Sequence, residues 1–91
     1  SNKESIDLYY RGKQNCFNDI LELRKAWGVT SFTQKAGQQA YKTLQIMYLY
    51  CPKEITDIVQ ATQYELDRRM QLMGFGDYEI DAWQALEKDD E

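Results

Sequence analysis

Apolar residues that recur every three or four positions from Ile55 to Met73 constrain this chain more than any other feature. Ile55, Ile58, Val59, Thr62, Leu66, Met70 and Met73 fall on one side of a helix at 100° per residue. Asp57, Gln60, Gln63, Asp67, Arg68 and Gln71 fall on the other. A strand would need alternation with period two, which is not sustained here, and β-branched residues are sparse throughout. Glu65 and Arg69, four apart in the favourable order, predict an ion pair along the edge of this helix.

The rest of the chain divides at its few helix breakers. One proline and five glycines are present, and Gly28-Val29-Thr30-Ser31, Cys51-Pro52 and Gly74-Phe75-Gly76 separate four segments. The first, about 4–27, carries a stripe of Ile6, Tyr9, Cys16, Ile20, Leu23 and Trp27, with Tyr10, Phe17 and Leu21 flanking it. Gly28 then fits a left-handed helix stop. The second, about 32–51, carries Phe32, Ala36, Ala40, Leu44, Met47 and Cys51. Ser31 and Gln34 have the spacing of a reciprocal cap at its start. The third, about 53–73, begins beside Pro52, with Glu54 and Asp57 near its positive end. Asp77 caps a short fourth helix, about 77–87, with Ile80, Trp83 and Leu86, followed by the acidic tail 87–91. The expected fold is all-α: one domain over 1–91, a small antiparallel three-helix bundle with a short fourth C-terminal helix.

With 91 residues, the chain closes only a small core, so a staple or a partner would add useful stability. Residues 1–76 carry ten Lys/Arg against eight Asp/Glu, while 77–91 carry one Lys against seven acids. A nearly neutral body with an acidic tail creates no field that favours nucleic acid. Histidine is absent, which removes the commonest general base and metal ligand together. Cys16 and Cys51 lack metal-ligand spacing and read first as reduced core residues, with a redox or disulfide role as the alternative. Cys51, before Pro52 at a helix start, is the only nucleophile with an activating position, and it also completes a core stripe. The carboxylates Asp77, Glu79 and Asp81 read as solvated, and Gly74-Phe75-Gly76 is too short for a phosphate loop. No catalytic residue, cofactor or metal is expected. Without a membrane-length apolar run, and with no apolar h-region at Ser1-Asn2-Lys3-Glu4, the expected location is cytoplasmic.

Function is then sought in apolar residues that the stripes leave unexplained. The second segment's stripe needs ~120°, yet Ile46 extends one edge and Tyr41 and Tyr48 the other to ~220°, with Leu49 behind. Such a helix is either central and covered on two sides, or part of a second interface. Tyr64 points away from Ile55, and seven tyrosines suit wet-edged protein contacts. Tyr41, Tyr48, Leu49 and Tyr64 are therefore the candidate interface, with Trp83 and Ile80 as competitors for that surface. Lys13 and Arg24 lie inside an apolar arc, where they either snorkel or meet acids at an interface. Gly37 either marks a close helix crossing or is tolerated at about 1 kcal/mol against alanine.

The expected function is a non-enzymatic helical protein-protein interaction module: a homodimer, or a regulator or inhibitor of a larger partner. Its histidine-free, Tyr- and Gln-rich make-up suits a phage or mobile-element accessory protein, an association of composition only. The alternative is a helix-turn-helix-like DNA-binding regulator using segment 54–75, with Arg68 and Arg69 on groove or phosphate. That alternative needs a turn near Gln63, and the stripe from Ile55 to Met73 runs through it.

Overall fold

A computed structural model describes residues 2–29 and 31–75. Four α-helices occur among the described residues: α1 (Asn2–Tyr10), α2 (Lys13–Trp27), α3 (Gln34–Tyr50) and α4 (Thr56–Leu72). A 3-10 turn, Lys53–Ile55, leads into α4. The all-α class read from periodicity is thus the observed one. The fourth helix expected over 77–87 and the acidic tail lie outside the described residues.

The first segment is two helices rather than one. Gly12 takes extended backbone angles, φ −94° and ψ 166°, at the start of α2. Side chains lock the bend this creates. Asn15 Nδ2 donates to the carbonyl of Tyr9 at 2.7 Å, satisfying an acceptor that the end of α1 leaves open. The hydroxyls of Tyr9 and Tyr10 donate to the two oxygens of Asp19 at 2.9 and 2.7 Å, folding α1 back on α2. Because the break resets helical phase, Tyr10 is buried and Tyr9 exposed, the reverse of an uninterrupted stripe.

Caps also differ from the expected ones. Thr33, not Ser31, starts α3, its hydroxyl accepting from the Ala36 N–H at 3.1 Å. Gly28 closes α2 in right-handed geometry, φ −78°, with its N–H shared between the carbonyls of Arg24 and Lys25. The left-handed glycine is Gly74, φ +77°, after α4.

The helices enclose a core of Cys16, Ile20, Trp27, Phe32, Leu44, Met47, Ile55, Val59, Leu66 and Met70 with their neighbours. α3 packs against α1, α2 and α4, which covers Tyr41 of its wide apolar arc and leaves Ile46 and Leu49 exposed. Gly37 leaves room for a side chain of α4, since a Cβ there would overlap Sδ and Cε of Met70. Lys13 pairs with Glu54 at 2.9 Å and Arg24 with Glu65 at 3.0 Å, so α2 and α4 run side by side in the same direction.

Cys16 and Cys51 form a disulfide between α2 and the end of α3, Cα atoms 6.3 Å apart. This corrects the favoured reading of two reduced thiols in favour of its alternative. Residues 35 apart in sequence meet because α3 returns along α2, which spacing alone does not encode. The bond also removes Cys51 as a candidate nucleophile.

Candidate functional site: the outer face of α2 and α4

The stripe of α4 is rotated in the folded chain. Gln63 and Asp67, expected on the polar side, are buried at 0% and 4% exposure, while Ile58 is 38% exposed. The cause is packing: α3 covers the flank that bears Gln63 and Asp67 and leaves Ile58 at the opposite edge. Asp67 accepts from Gln71 Nε2 at 3.0 Å. Neither amide atom of Gln63 has a hydrogen-bond partner among the described residues.

On that opposite edge, Lys13–Glu54 and Arg24–Glu65 each join residues 41 apart. Carried along the two helices, the same 41-residue register sets Phe17 of α2 opposite Ile58 of α4, between the ion pairs and nearer Lys13–Glu54. Leu21 follows Phe17 by one turn on the same side of α2. Phe17, Leu21 and Ile58 are 38%, 54% and 38% exposed, and Ala61 is exposed beside them. With the ion-pair register they make an apolar strip, closed at one end by Lys13 of α2 with Glu54 of the 3-10 turn and at the other by Arg24 of α2 with Glu65 of α4. The Arg24 end is the firmer. Its Nε and Nη2 both donate to the Glu65 carboxylate at 3.0 Å, a fork that a lysine cannot reproduce.

Periodicity hid this strip. Phe17 and Leu21 flank the α2 stripe and Ile58 belongs to the α4 stripe, so each looks half accounted for by the core. The available signal was Lys13 and Arg24, cations inside an apolar arc. They meet acids within the chain, and those pairings fix the register that exposes the strip.

The sequence-chosen interface residues do not form one surface. Tyr41 is 4% exposed and belongs to the core, because α3 uses that flank against its neighbours. Tyr48 is half-buried and, with Leu49, lines a recess of about 260 Å³ beside Cys51, Lys53 and Thr56. Tyr64 is exposed and lines a different recess, about 570 Å³, with Asp67, Arg68 and Leu72.

The helix-turn-helix geometry is also absent. Thr56–Leu72 is one continuous helix through the position where the motif needs its turn. Arg69 does not pair with Glu65 as expected. Its Nε donates to the Trp27 carbonyl at 3.2 Å, which ties α4 to the end of α2. Arg68 is exposed, and with Arg24, Trp27 and Arg69 it borders a cleft of about 380 Å³. Glu65 occupies the Arg24 guanidinium, so the cleft's positive charge is partly spent inside the fold.

The Tyr9–Tyr10–Asp19 cluster is the third polar feature. The two rings meet edge to face, centroids 4.8 Å apart. Burial first, and then the bond to Asp19, pushes the Tyr10 phenol well above its ordinary range. The bond to Asp19 raises Tyr9 as well. Phenols held neutral in this way are structural donors rather than bases.

Among the described residues, no group of three or more His, Cys, Asp or Glu side chains is placed to hold a metal ion. Nor is any described helix long and apolar enough to cross a membrane. Compared with family models, curated proteins and solved structures, the chain matches none.

Proposed function

We propose that this chain is a small, non-catalytic module that binds protein through the outer face of α2 and α4. The observation that carries the reading is the strip itself: Phe17, Leu21 and Ile58 are exposed, and the register of the two ion pairs puts all three between them. An aromatic and aliphatic centre inside a polar border is the anatomy of a protein interface. The sites on α3 and α4 first favoured by sequence are weaker, since Tyr41 is buried and Tyr48 and Tyr64 line separate recesses. Regulation or inhibition of a larger partner fits a module of this size. The Cys16–Cys51 bond favours a compartment where thiols oxidise over the reducing cytoplasm.

The test is a photo-crosslinking amino acid placed at Leu21, with exposed Ala26, about 140° further round α2, as control. Cross-links to protein at position 21 that exceed those at position 26, and that fall when Phe17 is replaced by serine, support the reading. Equal labelling at both positions overturns it.

A further inference from the structure

We infer that the occupant of the α2–α4 face is a second copy of this chain, related by a two-fold axis running along the helices. The inference rests on the protein-binding reading and adds the partner. Charge selects both partner and orientation. One side of the strip carries Lys13 and Arg24, the other Glu54 and Glu65, at matching heights. A rotation about an axis parallel to the helices lays α2 of one copy over α4 of the other. Lys13 then meets Glu54 of the second copy, and Arg24 meets its Glu65. Phe17 and Leu21 cover Ile58 and Ala61 of the second copy, and the reverse contacts follow by symmetry. The other face-to-face two-fold, across the helices, sets Lys13 against Arg24 and Glu54 against Glu65, so like charges oppose it. All four charged groups are more than a third exposed, so they set orientation more than affinity. Three exposed apolar side chains with this rim fall at the small end of interface sizes, which makes the pairing reversible and concentration dependent.

The experiment is sedimentation equilibrium of the full chain, disulfide intact, from low to high micromolar concentration at low and high salt. A monomer–dimer equilibrium weakened by salt is expected. Leu21→Glu should leave only monomer while its circular dichroism melt stays close to wild type, since Leu21 is 54% exposed. Lys13→Glu alone and Glu54→Lys alone should each weaken self-association. An equimolar mixture of the two should recover it, because each chain then supplies the charge that the other lacks. A monomer at every concentration, or a dimer indifferent to Leu21→Glu, overturns the inference. The two readings fail separately: cross-links from position 21 to a different protein, with the chain itself monomeric, retain the protein-binding reading and remove the second copy.

Discussion

Gly37 of α3 makes room for Met70 of α4, whose Sδ and Cε fill the space that a Cβ would take. Met70 is fully buried, so it has little room to move aside. Alanine at 37 should gain about 1 kcal/mol in helix propensity and lose about 1–3 kcal/mol to overpacking, a net destabilisation. The check is a double-mutant cycle by denaturant unfolding. Met70→Ala alone should cost about 2–5 kcal/mol, and the double variant less than the sum by 1 kcal/mol or more. Strict additivity would mean that the two positions do not share this space.

Removing the Cys16–Cys51 bond should destabilise the fold strongly. With a sequence separation of 35, chain entropy assigns it about 4 kcal/mol, a large fraction of what a domain this small commands. Unfolding of the oxidised chain and of Cys16→Ala/Cys51→Ala measures the difference. A thiol titration of the aerobically purified protein, unfolded without reductant so that both buried residues are reachable, checks the pairing: two reactive thiols would contradict it.

Leu66 and Gln63 are near neighbours on α4 with opposite expected responses. Leu66 is fully buried and apolar, so Leu66→Ala should cost about 2–5 kcal/mol. Gln63 is equally buried with its amide unsatisfied among the described residues, so Gln63→Met should stabilise by about 1–3 kcal/mol. Urea midpoints distinguish the two, and a destabilised Gln63→Met would reveal a partner for the amide.

The Tyr10 phenol is raised in the folded chain by burial and by its bond to Asp19, whereas in the unfolded chain it titrates near the ordinary value of 10.0. Its stabilising contribution is therefore complete below that value and is lost as pH rises toward the folded value. Unfolding measured from neutral pH to about pH 11 should show stability falling at the alkaline end. Tyr10→Phe should flatten that fall while costing roughly 1.5–3 kcal/mol at neutral pH, the worth of a hydrogen bond to a charged acceptor. An unchanged alkaline slope would assign the effect to other tyrosines.

The sequence by itself determined that the described chain is helical and placed much of the core on the right stripes. Ile20, Leu44, Val59, Leu66 and Met70 stand on the predicted stripes and are buried, because periodicity is local and needs no knowledge of neighbours. Only the tertiary structure decided which flank of each stripe is covered. A helix can rotate some tens of degrees about its stripe, and packing against α3 drew Gln63 and Asp67 inward while leaving Ile58 at the surface. The bend at Gly12 is carried by the bonds of Asn15, Tyr9, Tyr10 and Asp19 across it, and it exchanges the roles of the two tyrosines. The disulfide and the facing of Phe17 with Ile58 require segments remote in sequence to be brought together. Such contacts arise from the order in which helices pack, which a pattern along one chain segment does not record.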